Sequence, residues 1–338
     1  MIKMKSKFFA VVSAFSFLFA SLAFVACSKD DVNTPEHTPG IMTEKSIVIP
    51  RYSDWEEVNS IISSAYSFDT ITDLISFEEW KGLQSIGRLS DFFYEGVDYS
   101  DFETEKSAIE FYSQHQDMLD TIWHDGDLEI CPKWFYSPFR YVANKQGYFE
   151  VGNYVCRLFK NCMVSTLKDN LEELTLLDEQ DLTTLDSTVF FCSKIHQSRM
   201  VHQGCAPSWV YENTLSTNAD RVCLKLLTYA ACPDHSNYFY ETRVQVCSHH
   251  RFVGIWWVSK HTLTCQGSVS IHAKNGTGED DWETITRDIN IVRKCFSINQ
   301  LLCARGCLYG ISPNNYHYSS FNLSASTPSL ASATLSYN

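Results

Sequence analysis

From residue 46 onward the chain carries two hydrophobic rhythms, a helical one up to about residue 124 and a period-2 one through most of the remainder. Ser53-Asp54-Trp55-Glu56 has the form of a capping box. Trp55, Val58, Ile61 and Ile62 then recur at helical spacing, which predicts a first helix to about Tyr66. Ser76-Phe77-Glu78-Glu79 repeats the start signal with Phe77, Trp80 and Leu83 on one stripe, predicting a second helix that Gly82 and Gly87 weaken. From Thr104, the residues Ala108, Phe111, Met118, Leu119 and Ile122 keep a helical period, so a third helix is expected to end near His124, with Gly126 as its stop. His115 falls on that stripe and reads as a satisfied or half-buried side chain.

After Pro132 the rhythm changes. Asn144-Lys145-Gln146-Gly147 is turn-like, and the aromatic and β-branched run Tyr148 to Phe159 behind it predicts a hairpin. Beyond Val189, the runs Val222 to Tyr229, Thr242 to Val246, Val253 to Leu263, Val269 to Ala273 and Ile285 to Cys295 alternate apolar with polar residues at strand lengths. In the last run Ala331, Ala333, Leu335 and Tyr337 oppose Ser332, Thr334 and Ser336, which suits a closing strand with one wet face. The expected class is α+β: a helical or mixed N-terminal domain at 46–185, then a β-rich, sandwich-like domain at 186–338.

The N-terminus carries an address. Lys3, Lys5 and Lys7 precede an apolar run from Phe8 to Phe24, with Val25-Ala26 before Cys27, the pattern of a signal peptide over residues 1–26. Ser13, Ser16 and Ser21 interrupt the run and argue against a membrane-spanning helix. Phe24-Val25-Ala26-Cys27 resembles a bacterial lipobox, with Phe24 where leucine is usual. Ser28-Lys29-Asp30-Asp31 resembles the acidic export signal of Bacteroidota lipoproteins. These resemblances imply a diacylated Cys27, whose buried acyl chains would anchor the protein in the outer membrane at the cell surface, the periplasmic face being the alternative. Residues 27–45, with Pro35, Pro39 and Gly40, read as a flexible tether. Ser76-Phe77-Glu78-Glu79-Trp80, the stretch Asn144 to Asn153 and Gly254-Ile255-Trp256-Trp257 resemble landmarks of uncharacterised Bacteroidota lipoprotein families, over about residues 50 to 310. These are domains of unknown function, so the resemblance assigns no catalytic residue.

Charge narrows the partners. The chain carries 27 basic and 40 acidic residues, and without the three lysines of residues 1–26 its formal charge falls from −13 to −16. That balance speaks against nucleic acid, which needs clustered Lys and Arg. Besides Cys27 there are twelve cysteines. In an exported protein they permit disulfides, expected after residue 190, with Cys192–Cys205, Cys247–Cys265 and Cys303–Cys307 as local candidates. A metal is the competing use of Cys192, His196, His202 and Cys205, or of Cys247, His249 and His250, but the spacings fit zinc pairs only in part. No metal and no other cofactor is expected.

Enzyme motifs are weaker still. Cys205 lies near Trp209 as in papain-like nucleophile segments, but Ser208 precedes the tryptophan and Pro207 intrudes, leaving His261 or His272 as arbitrary partners. Glu172-Glu173 and Glu279-Asp280-Asp281 read as solvated carboxylates in an acidic chain; the latter lacks the ligand spacing of a calcium loop. No catalytic residue is assigned. The expected function is capture or interaction at the cell surface, with a glycan or protein ligand; the alternative is a surface hydrolase acting on glycan or peptide. The candidate binding residues are Trp256 and Trp257, which point to opposite faces of one strand, so both faces are covered or one indole is exposed.

Overall fold

The computed structural model describes residues 48–68, 71–124, 126–160, 162–186, 189–194, 205–206, 208–231, 238–274, 282–307 and 316–337. The residues read as signal peptide and tether, 1–45 with Cys27, lie outside the described residues, as do His196, His202 and the acidic group 279–281. Strand β1 (Arg51–Tyr52) leads into helices α1 (Trp55–Ala65), α2 (Ile71–Lys81), α3 (Ile86–Glu95) and α4 (Glu105–Gln114). Next come β2 (Leu119–His124), β3 (Asp127–Pro132), β4 (Tyr148–Val151), β5 (Tyr154–Leu158), β6 (Cys162–Leu167) and a short α5 (Leu171–Leu176). The remainder is strand: β7 (Phe191–Lys194), β8 (Cys205–Ala206), β9 (Ser208–Ser216), β10 (Asp220–Ala231), β11 (Tyr238–Phe252), β12 (Ile255–Val258), β13 (His261–Lys274), β14 (Trp282–Cys295), β15 (Ser297–Cys307), β16 (Tyr316–Thr327) and β17 (Leu330–Tyr337).

The helical starts are chemical. Asp54 caps α1 by accepting from the Glu57 N–H at 2.9 Å, one residue later than expected, and Glu57 accepts from the Ser53 N–H at 2.8 Å rather than from the cap itself, so the reciprocal box does not form. Helix α2 already begins at Ile71; Ser76 lies inside it and its hydroxyl donates back to the Thr72 carbonyl, so the second start signal is a mid-helix serine. Ser85 caps a separate α3, and Gly87 within it is required because a Cβ there would collide with the Tyr141 ring. Helix α4 stops at Gln114 rather than near His124. The residues expected to form its last turns instead form β2, which pairs antiparallel with β3 through the turn at Gly126.

Three sheets result. The first has the order β1-β4-β5-β6-β7-β8, the second β2-β3-β12-β11-β10-β9 with β15 also on β11, and the third β14-β13-β16-β17. The hairpin expected at Tyr148 to Phe159 is β4–β5. The apolar run Val253 to Leu263 is not one strand: Val253 and Gly254 take positive φ and turn the chain between β11 and β12. The central seven-stranded sheet is covered twice. On one face Val222, Leu224 and Leu226 of β10 and Val244 and Val246 of β11 share a core with Val269, Ile271, Phe321 and Leu323 of the third sheet. That is the expected sandwich. On the other face Cys223 and Cys247 pack against Tyr136, which follows β3, whereas Trp257, level with His250, lies on the opposite face and packs with Tyr99 and Phe102. A mixed, strand-rich α+β fold is thus observed, and residues Val48–Asn338 form one compact unit. Because β2 and β3 are hydrogen-bonded into the sheet that holds β9 to β12, no hydrogen-bond-free boundary falls near residue 185.

Candidate functional site

Trp256 and Trp257 offer no free ring; they are 3% and 1% exposed. Trp257 stacks on Phe102 at 5.2 Å between centroids and meets Tyr99 edge-on at 5.1 Å. Trp256, on the opposite face, is covered by the Arg221 and Arg251 guanidinium groups at 4.8 and 5.5 Å, and its Nε1–H donates to Asp127 at 3.0 Å. Both faces of the strand are occupied, so the expected binding residues are structural. The more exposed indoles are Trp80 and Trp123.

The cysteine expectations resolve through the same alternation. Cys192 is disulfide-bonded, and the parallel β7–β8 ladder sets it level with Cys205. Cys247 and Cys265 carry free thiols, because Cys247 lies on the face of the central sheet turned away from the sandwich while Cys265 lies within it. Cys303 and Cys307 are four positions apart on β15, about 13 Å at strand rise, beyond the roughly 7 Å that a bridge spans. His115 caps α4, half-buried, with Nδ1 2.8 Å from the Phe111 carbonyl. Glu172 and Glu173 lie in the first turn of α5, where carboxylates suit the helix dipole.

One solvent-facing surface has an unusual chemistry. The third sheet buries one side in the sandwich, and its other side presents Gln266, Ser268, Ser270 and His272 from β13, with Thr284, Thr286, Asp288 and Asn290 level with them on β14. On the other flank His317, Ser320, Asn322 and Ser324 of β16 are level with the same β13 residues, and Thr334 and Ser336 of β17 extend the row. Asp288 is the one formal charge among these positions. Cross-strand polar pairs order the surface: Ser270 Oγ lies 2.9 Å from Thr286 Oγ1, His272 Nδ1 3.0 Å from Thr284 Oγ1, and Gln266 Nε2 donates to Asn290 Oδ1 at 3.3 Å. At one end three rings gather. His272 stacks on Trp282 with centroids 4.7 Å apart and planes 6° from parallel, and His317 closes on both at 5.1 and 5.6 Å. Burial, then the neighbouring His272, lowers the His317 pKa, which favours its neutral ring. The arrangement is a hydroxyl- and amide-bearing plane ending in an aromatic group, suited to a neutral polyhydroxylated ligand.

A second cluster is buried on the face of the central sheet turned away from the sandwich, beneath Tyr136. Cys223 on β10 and Cys247 on β11 are cross-strand partners, and His249, two residues on, shares their face. Cys223 Sγ is 4.0 Å from His249 Nδ1, and His249 Nε2 is 3.2 Å from the Glu129 carboxylate. Glu129 also accepts from Tyr136 Oη at 2.7 Å and from Arg221 at 2.5 Å. Burial alone would raise the Glu129 carboxyl, yet the His249 and Arg221 charges hold it well below the usual range. The Cys223 thiol is pushed well down, first by its hydrogen bond with Cys247 and then, against burial, by His249. Sequence reasoning grouped Cys247 with His249 but added His250, which alternation sends outward to Asp220 at 2.9 Å. It missed Cys223, 24 residues upstream, because only strand register brings it near.

A third feature bears on hydrolysis. A shallow cleft is lined in part by Asp91, Glu95, Lys260 and Lys294. Its two carboxylates are already matched with cations, Asp91 with Arg140 and Glu95 with Lys260 at 2.5 Å.

No protein-family model matches the chain, and no curated protein matches it. Among solved structures, the chain is similar to a DUF4848 family protein from Bacteroides thetaiotaomicron, at 12% identity and a TM-score of 0.25, over 85% of this chain and 96% of that one. That neighbour belongs to a family of unknown function, and a likeness at this level carries no argument about mechanism.

Proposed function

We propose that the protein is a lipid-anchored binding protein of the outer membrane that presents the polar face of its third sheet to a glycan. One observation carries the reading: the Trp282, His272 and His317 rings stand at the end of a row of Ser, Thr, Asn and Gln side chains in which Asp288 is the one formal charge, on a chain of net charge −13. Sugars are recognised by ring stacking combined with hydrogen bonds to hydroxyl groups, and rigid strands present both at low entropic cost. A neutral glycan loses nothing to the chain's overall acidity, whereas an acidic ligand would be repelled. The lipobox-like Phe24-Val25-Ala26-Cys27 and the tether-like composition of residues 27–45 support a surface address.

The test is retention on a panel of insoluble polysaccharides. Wild-type protein is expected to be depleted from solution by at least one neutral polysaccharide, and Trp282→Ala to lose about tenfold or more in affinity with an unchanged melting temperature. Wild-type protein retained by none of them would refute the reading.

A further inference from the structure

The buried cluster beneath Tyr136, on the face of the central sheet turned away from the sandwich, has the donor set of a metal centre. Cys223, Cys247 and His249 each offer one atom, these atoms lie within 4.8 Å of one another, and all three residues are buried. A tetrahedral zinc ion with sulfur at about 2.3 Å and nitrogen at about 2.05 Å places neighbouring donors roughly 3.6–3.8 Å apart. The Cys223 Sγ to His249 Nδ1 separation of 4.0 Å needs a contraction of only a few tenths of an ångström.

Three features of the surroundings fit an ion better than three packed side chains. His249 engages Glu129 through Nε2 at 3.2 Å, which leaves Nδ1 turned toward Cys223. A carboxylate on the far nitrogen is how metal-binding histidines are oriented, and Glu129 is itself fixed by Tyr136 and Arg221. The charges also balance. Two thiolates and a neutral imidazole carry two negative charges, which a divalent ion cancels, while Glu129 is matched by Arg221 and Lys225 by Glu212 at 3.1 Å. Finally, Gln245, two residues before Cys247 on the same strand face, is 1% exposed, and neither end of its carboxamide has a hydrogen-bond partner among the described residues. An unpartnered buried amide is costly unless a ligand or ordered water completes its environment.

We infer that Cys223, Cys247 and His249 bind a zinc-class divalent cation, with Glu129 as the residue that positions His249. Tyr136 Oη, 4.0 Å from Cys247 Sγ and 3.3 Å from His249 Nε2, belongs with Glu129 to the groups that orient the histidine. Thiolate and imidazole donors together select zinc over magnesium or calcium.

The experiment uses the full chain, loaded with zinc, freed of excess ion and assayed for metal content. About one zinc per chain is expected, and cobalt loading should give the near-ultraviolet thiolate-to-cobalt charge-transfer band. Cys247→Ser and His249→Gln should each abolish retention, whereas Cys265→Ser, at a buried thiol in the sandwich core, should leave it intact. Glu129→Gln should keep the stoichiometry at excess zinc but weaken affinity about 10- to 100-fold. The wild-type measurements decide the matter even if a ligand variant fails to fold. A wild-type chain that retains no zinc and shows no cobalt–thiolate band, or one in which Cys223 and Cys247 are found joined as a disulfide, overturns the assignment.

Discussion

Trp256 and Trp257 are neighbours buried for different reasons, one by two arginines and one by an apolar layer. Trp257 fills the aromatic core with Phe102 and Tyr99, so Trp257→Ala is expected to cost about 3–5 kcal/mol in urea unfolding. Trp256→Ala falls in the same range because it strips the Arg221 and Arg251 guanidinium groups of their shared partner. A cost below about 1 kcal/mol for either would show that its ring is not core. Glu129 supplies a pH test. Its folded-state pKa lies below the unfolded value near 4.5, so its stabilisation is present above that pH and is lost as pH falls below it. Glu129→Gln should therefore flatten the acid limb of the stability curve and, near neutrality, cost about 3–5 kcal/mol by leaving Arg221 buried without its anion. An acid limb identical to wild type would contradict the network. The sequence could name both tryptophans as a two-faced pair but not what covers each face, because Phe102 and Arg221 are distant along the chain and arrive only with the tertiary fold.

At the scale of elements, periodicity is informative for runs that stay in one element type. The alternation in the last run reads correctly as β17 with a wet face, and the Tyr148 hairpin is found as expected. It misled where a helix gave way to a strand. Met118, Leu119 and Ile122 sit at helical spacing, yet Leu119 to His124 is strand because it completes a ladder with β3, which local pattern does not see. The sealed cluster was half legible: Cys247 and His249 follow strand alternation, while Cys223 enters through register alone. Within the third sheet, Gly267 has φ +137° and an added Cβ would overlap the Asn322 carbonyl, so Gly267→Ala should disrupt the β13–β16 ladder and lower the melting temperature by several degrees. An unchanged melting curve would place the strain elsewhere. Cys265, on the same strand, has its thiol pushed up to about 12 by burial, so alkylation near neutrality should be negligible until the chain is denatured.

Across the whole molecule, the central sheet acts as a partition with an apolar sandwich on one side and a layer containing ionised and thiol groups on the other. On the outer face of the third sheet, small polar side chains replace charged ones around Ser268 and Ser270. The alternating pattern made a wet face legible in the sequence; its Ser, Thr, Asn and Gln composition and the meeting of His272, Trp282 and His317 required strand order. Anchoring at Cys27 is tested independently: wild-type protein should take up labelled fatty acid, and Cys27→Ser should not. A wild-type chain without label would rule out the lipid anchor. The glycan-binding face is tested most directly by Ser270→Arg, which sets a bulky charge at the centre of the polar surface, beside Thr286. Measured against the polysaccharide that best retains the wild type, this variant is predicted to lose binding while melting normally, and Ser113→Arg on exposed α4 to bind like wild type. Undiminished binding by a folded Ser270→Arg protein would contradict the glycan-binding role of this face.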